Sequence, residues 1–200
     1  MGFVIGIDIG QIRDPTAIAV AETEKRRIDR HLETHFIIRH LERIPLGTPY
    51  PEVAGRIGKL IGNLAARTRG CPLVYLDATG VGKPIVDLLR IDASAVCSIV
   101  AVYFIHSDRR LEERTAGYLR VKLGKANLVS RLQALMQAGR IHLPRTREAQ
   151  ALARELLDYE IRVDENATDR YGAFRVGTHD DLATALGLAV QTDEPVGSTR

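Results

Sequence analysis

Several aspartates stand where an acid could do chemistry. Asp8 interrupts Phe3–Ile9, an otherwise apolar run rich in β-branched residues. A carboxylate inside a buried strand is expensive unless it is paired or binds a cation, and this run holds no basic residue to pair with it. The competing reading is a core aspartate satisfied by backbone groups. Asp77 follows a second short apolar run, Leu73–Leu76, just before the turn Thr79-Gly80-Val81-Gly82. In open α/β sheets, ligands bind at the carboxyl ends of strands. Asp180 and Asp181 follow His179 and open the last helical segment. Acids there also cap a helix and favour its dipole, so one of the two is expected to do only that. Separated carboxylates, two from strands and one from a helix start, suit hard divalent cations such as Mg²⁺ or Mn²⁺. Two such ions would clamp the attacking water and the leaving oxygen of a phosphodiester. Asp8, from the central strand, is the ligand expected to be shared by both.

The elements that must position these groups are legible in outline. Phe3–Ile9 reads as a buried strand. Asp14-Pro15 starts a turn, Thr16–Ala21 reads as a second strand with Glu22–Arg30 as a charged hairpin end, and His35–Ile44 as a third. Short connections make these an antiparallel meander. The texture then changes. Val53, Ile57, Leu60, Ile61 and Leu64 recur at helical spacing between Pro49 and Arg69. Leu73–Leu76 and Val96–Phe104 read as strands around a helix beginning at Pro84, which implies parallel pairing. Asn127–Ala138 reads as a helix, Ile141–Leu143 as a short strand and Arg147–Tyr159 as an amphipathic helix. Glu165–Gly172 reads as a polar loop, Ala173–Val176 as a strand and Asp180–Gln191 as the final helix. The expected architecture is α/β, a mixed sheet with three antiparallel strands followed by parallel ones and helices on both faces, in the order of ribonuclease H-like folds. Residues 1–191 are expected to form one domain, with Thr192–Arg200 a mobile tail.

Composition removes other classes. The 200-residue chain is 45% hydrophobic and 26% charged, the mix of a globular domain rather than a disordered one. No apolar run approaches the ~18 residues of a membrane span, and the N-terminus lacks the pattern of a signal peptide. Two cysteines, Cys71 and Cys97, make neither a disulfide framework nor a zinc site, so a cytoplasmic setting is expected. Charge is unevenly spread: ten basic residues against three acids between Ile105 and Arg147 leave that stretch at +7 and the remainder at −4, for a net +3. A basic middle suits a polyanion; a solvated surface is the bland alternative. Lys122, Lys125 and Arg131 are the candidate phosphate contacts. With aromatics at only 5% and no tryptophan, base stacking on single strands is disfavoured and duplex backbone binding fits better.

Four motifs sharpen this reading: Gly6-Ile7-Asp8-Ile9-Gly10, Asp14-Pro15-Thr16-Ala17, Leu76-Asp77-Ala78-Thr79-Gly80-Val81-Gly82 and His179-Asp180-Asp181-Leu182-Ala183-Thr184-Ala185-Leu186. With Lys125-Ala126-Asn127-Leu128-Val129, Gly139-Arg140-Ile141-His142-Leu143-Pro144 and the helix carrying Glu155-Leu156, they resemble the nuclease domain of tailed-phage terminase large subunits, from about Phe3 to Val190. The resemblance implies a ribonuclease H-like fold and a two-metal DNA endonuclease that cuts concatemeric viral DNA during genome packaging. Its metal ligands would be Asp8, Asp77 and Asp181. Its partners would be double-stranded DNA, a motor ATPase domain, the small terminase subunit and the portal, in the host cytoplasm. Many relatives carry a further aspartate where this chain has Thr184, which weakens the site on that side. Asp180 or His179 could compensate, so the third ligand stays open between Asp180 and Asp181. A full large subunit also has a motor that 200 residues cannot hold, so the chain is expected to be an excised domain or a free-standing relative.

Asp77–Pro84 superficially resembles a phosphate-binding P-loop, but Asp77 stands where Gly is needed, and Pro84 cannot supply the metal-binding hydroxyl. Three rivals stay open: a Holliday-junction-type resolvase, an actin-like or sugar-kinase-type ATPase lobe, and a non-catalytic DNA-binding module. The last would use the basic stretch without needing Asp8 inside a strand.

Overall fold

Strand β1 (Gly2–Asp8) lies near the middle of an eight-stranded sheet, and its alternation decides what each face receives. In the computed structural model, residues 2–10, 14–68, 70–93, 95–107, 109–115, 117–158, 160–163, 169–172 and 180–192 are described. Strands β2 (Thr16–Ile28) and β3 (His31–Ile44) extend the meander antiparallel to β1, with a bulge at Val20/Ala21. Helix α1 (Tyr50–Thr68) crosses over to β4 (Leu73–Asp77), which is parallel to β1. Helix α2 (Gly82–Asp92) leads to β5 (Ser98–Ile105), parallel to β4. A hairpin follows, β6 (Arg110–Thr115) and β7 (Tyr118–Gly124), with β7 parallel to β5. Helix α3 (Lys125–Gln137), the two-residue β8 (Ile141–His142) and helix α4 (Arg147–Asp158) come next. Strands β9 (Glu160–Val163) and β10 (Asp169–Gly172) pair as a separate ribbon, and helix α5 (Asp181–Ala189) ends the described fold. The large sheet runs β6-β7-β5-β4-β1-β2-β3-β8. This is the ribonuclease H-like mixed sheet expected from the sequence, and no helix among the described residues is long and apolar enough to cross a membrane.

The element boundaries correct the sequence reading in three places. The β6–β7 hairpin went unrecognised because β6 is a charged, mostly exposed edge strand with no apolar signal. β7 alternates Val121 and Leu123 inward with the cations Arg120 and Lys122, so its charge masked its period. The loop expected over Glu165–Gly172 ends instead in β10, which β9 pairs with in a contact no local pattern announces. The charged hairpin end is a real ladder, running out to Ile28 opposite His31. The strand expected at Ala173–Val176, the residue His179 and positions 193–200 of the expected tail lie outside the described residues.

Ile5, Ile7 and Ile9 face one way and pack with Val53, Ile57 and Ile61 of α1 and Ile85 and Leu89 of α2. Val4 faces the other way, with Leu128 and Val129 of α3 and Leu188 of α5. Gly6 and Asp8 share Val4's face by alternation. Helix α5 lies directly on that face, covered in turn by α3 and α4, and every residue from Asp181 to Gln191 is buried. Gly6 permits this seat: a Cβ there would collide with the Ala185 carbonyl and the Ala189 amide. Backbone atoms cannot yield as a side chain can, so Gly6→Val is expected to cost about 3 kcal/mol or more. Thermal and urea melts check this; a variant as stable as wild type would mean α5 is not seated on β1.

Candidate metal centre

One rung of the sheet carries the candidate site. Ala17 of β2 lies opposite Asp8, and Arg43 of β3 opposite Ala17. The parallel register pairs Ile7 with Leu76, so Asp8 and Asp77 come next, and Asp77 lies opposite Val102 of β5. Ala17 and Val102 pack toward the face covered by α3, α4 and α5, so the rung's polar side chains share it. Helix α5 begins at this level with Asp181, only 3% exposed.

Burial pushes the Asp8 carboxyl well above its ordinary value; the negative charges of Asp77 and Asp181 add to this, Asp180 adds less, and Lys125 opposes them. Burial raises Asp77 as well, against hydrogen bonds from Thr79 and the charge of Lys125. The Thr79 amide donates to Asp77 Oδ1 at 2.8 Å, and Thr79 Oγ1 accepts from the Phe104 amide at 3.0 Å. This pins the turn to β5. Gly80 adopts a left-handed φ of 62°, and a Cβ on Gly82 would strike the Asp77 carbonyl, so the two glycines let the chain turn beside the carboxylate.

Asp180 sits at the N-cap position but makes no side-chain capping bond, contrary to the capping role expected for one of the helix aspartates. The acceptor is Glu155 of α4, whose Oε2 takes the Ala183 amide at 2.9 Å. Glu155 is 5% exposed, and its other oxygen pairs with the Arg43 guanidinium. Arg43 Nε stands 3.8 Å from Asp181 Oδ2. Sequence reasoning assigned no role to Glu155 or Arg43. A signal was available for Glu155, an acid in line with Ala149 and Leu152 on the buried stripe of an amphipathic helix. Arg43 had none, because its partners are more than a hundred residues away in the chain. Thr184, buried inside α5, brings no carboxylate.

The three candidate phosphate contacts do not gather on one surface. Lys125 opens α3 beside the carboxylates, with Nζ 5.6 Å from the Phe104 ring centre. Lys122 is exposed between the inward Val121 and Leu123, so it projects from the opposite face of the sheet. Arg131 donates Nε to the Val190 carbonyl at 2.6 Å and ties α3 to the end of α5.

As placed, the carboxylates share one electrostatic field without closing into a cage: among the described residues, no group of three or more His, Cys, Asp or Glu is gathered closely enough to hold an ion. The donor set nevertheless fits a hard divalent cation. Among the described residues it offers carboxylate oxygens without sulfur or imidazole, around an Asp8 so buried that its charge is strongly disfavoured.

The fold is similar to solved terminase nucleases. The large terminase nuclease from thermophilic phage G20c with bound magnesium matches with a TM-score of 0.63 and 22% identity, over 94% of this chain and 79% of that one. The human cytomegalovirus terminase nuclease domain, soaked with manganese, matches at 0.56 and 14%, over 93% and 80%. The large terminase nuclease domain of bacteriophage SPP1, with bound manganese, matches at 0.54 and 14%, over 94% and 85%. No protein-family model and no curated protein matches the sequence.

The raised Asp8 carboxyl has a consequence for stability. Because its folded value lies above the unfolded value near 3.8, its contribution is full below that pH and is lost as pH rises through the folded value. Asp8→Asn cannot ionise. In EDTA it is expected to melt above wild type near pH 7, an advantage that shrinks toward about pH 4. Melts across that range check it; an Asp8→Asn protein that melts lower at neutral pH would contradict the electrostatic account.

Proposed function

We propose that this chain is a divalent-metal-dependent DNA endonuclease of the terminase large-subunit type, with residues 1–191 acting as one nuclease domain. The observation that carries the reading is that Asp8, Asp77 and Asp181, from two adjacent parallel strands and a helix N-terminus, share one buried electrostatic field. The similarity of the fold to terminase nucleases that hold magnesium or manganese supports it.

Asp8, Asp77 and Asp181 would hold the ions: Asp8 would serve both from β1, Asp77 would contribute from the end of β4 and Asp181 from the start of α5. When bound, two Mg²⁺ or Mn²⁺ ions supply an activated water at neutral pH and neutralise the charge that develops on the leaving oxygen. In the hydrolysis, the water oxygen would bond to phosphorus as the bond to the 3′ oxygen breaks, with one water proton ending on that oxygen to leave a 5′ phosphate and a 3′ hydroxyl. The chain's own residues contribute position. The Thr79 bond orients Asp77, the seat of α5 on Gly6 sets the height of Asp181 over the sheet, and Lys125 offers a positive charge to the phosphate beside the carboxylates. Of the three basic candidates it is Lys125 that stands on the duplex path; Lys122 projects from the opposite face of the sheet and Arg131 is engaged by the Val190 carbonyl. The substrate is double-stranded DNA, and the setting is a packaging machine with a motor ATPase, a small subunit and a portal in the host cytoplasm.

Nicking of supercoiled plasmid with Mg²⁺, Mn²⁺ or EDTA tests the activity. Cutting is expected with either metal, without ATP, and not in EDTA. ATP hydrolysis without cutting would favour the kinase-like rival. Asp8→Asn, Asp77→Asn and Asp181→Asn are each expected to remove nearly all cutting. Asp180→Ala should retain much of it and melt with the wild type, since Asp180 makes no capping bond. If Asp180→Ala is the dead variant and Asp181→Asn cuts, the third ligand has been assigned one residue too late.

Duplex binding, measured in Ca²⁺ across a salt series, tests Lys125. Lys125→Ala is expected to reduce the slope of log affinity against log salt by about 1, for one lost phosphate contact. An unchanged slope would exclude Lys125 from the DNA path.

A further inference from the structure

Arg43 is a cation within reach of two buried carboxylates, and it treats them differently. Its guanidinium is in contact with Glu155 Oε1, while its Nε makes a longer ion pair with Asp181 Oδ2, at 3.8 Å and beyond hydrogen-bond reach. Glu155 has a second task, since its Oε2 accepts the Ala183 amide at the start of α5. One buried side chain therefore engages both the arginine and an N-terminal amide of the helix, two positive groups adjacent to Asp181.

We infer that Glu155 is a positioning residue that competes for Arg43 and keeps its ion pair with Asp181 long, so that Asp181 can meet a divalent cation instead of being bound tightly by the arginine. This rests on the reading of Asp181 as a metal ligand. An arginine and a carboxylate that close into a charge-assisted pair compete with any cation for the same oxygens. Arg43 lies on the sheet rung of Asp8 and cannot leave the neighbourhood, because β3 fixes its backbone opposite Ala17. Glu155 approaches from the other side, on α4, and supplies the alternative anion. A merely structural Glu155 would cap α5 and nothing more. A positioning Glu155 makes the metal affinity depend on where Arg43 goes.

Glu155→Gln separates these roles. Its side-chain carbonyl can still accept the Ala183 amide, but its amino group offers no anion to Arg43. Mn²⁺ binding to the full chain, without DNA, is measured by calorimetry and by the electron paramagnetic resonance of free Mn²⁺. Wild type is compared with Glu155→Gln, Arg43→Met, the Glu155→Gln/Arg43→Met double variant and Asp181→Asn. Glu155→Gln is expected to keep its melting temperature and weaken Mn²⁺ binding about tenfold, the weight of one closed ion pair. Adding Arg43→Met should restore most of that loss, and Arg43→Met alone should bind Mn²⁺ at least as tightly as wild type. A crystal structure of Glu155→Gln should show Arg43 moved onto Asp181. Wild-type affinity in Glu155→Gln overturns the inference, as does equal weakening in the single and double variants. If Glu155→Gln does not fold, weaker Mn²⁺ binding in Arg43→Met alone overturns it. Asp181→Asn reads the underlying assumption separately: wild-type Mn²⁺ binding there removes Asp181 as a ligand, and the role of Glu155 with it.

Discussion

The closeness of α5 to β1 is the constraint on which the rest of the structure depends. A helix can lie on a strand at backbone contact only where the strand presents no side chain, and Gly6 is that place. Once α5 is seated there, its first turn comes to the level of Asp8, two residues further along the same face of β1. The composition of α5 follows from the same seat. Ala183, Ala185, Gly187 and Ala189 keep it slim enough to be enclosed by the sheet on one side and by α3 and α4 on the other. Packing, rather than any local preference of the aspartates, brings acids from the two ends of the chain into one field.

That enclosure sets hydrophobic burial against electrostatics. A fully buried helix start brings its carboxylate and amides out of water, where each needs a partner. An acid from α4 accepts one of those amides and takes the tighter contact with the arginine of β3, which lies at longer range from Asp181. Asp8 and Asp77 are handled differently. Burial raises both carboxyls, and Lys125 at the head of α3 is the nearby cation that offsets part of that cost for each. The two ends of the rung thus carry cations of different kinds: a lysine beside the strand carboxylates, and an arginine between the two helices.

The sequence was most readable where a period or a punctuating residue acted locally. The apolar run broken by Asp8 and the turn after Asp77 are each visible within ten residues and lie where the reading put them, while the final helix, read from Asp180, begins at Asp181. Legibility failed where stability comes from across the sheet. β7 hid its strand period under Arg120 and Lys122, and β6 holds its place by pairing with β7. The capping of α5 was misjudged for a related reason. Asp180 has the residue type and position of a cap, yet the bond to the helix comes from Glu155, brought in by the packing of α4. The three basic residues grouped by sequence proximity were scattered by the alternation of β7 and the turn of α3, which no count of charges could foresee.

Strand β6 ends the sheet with Arg110, Glu112, Glu113 and Arg114, and its ion pairs, Arg110 with Glu112 and Arg120 with Glu113, run along and across the edge. At the opposite border, β8 is two residues long. An eight-stranded sheet would ordinarily offer two open rows of amides and carbonyls to any extended chain that met it. Here one border is fringed with charge that an incoming strand would have to desolvate, and at the other β8 covers Phe36 and Ile37 of β3. At the β6 border, growth by strand addition is opposed even beside identical copies.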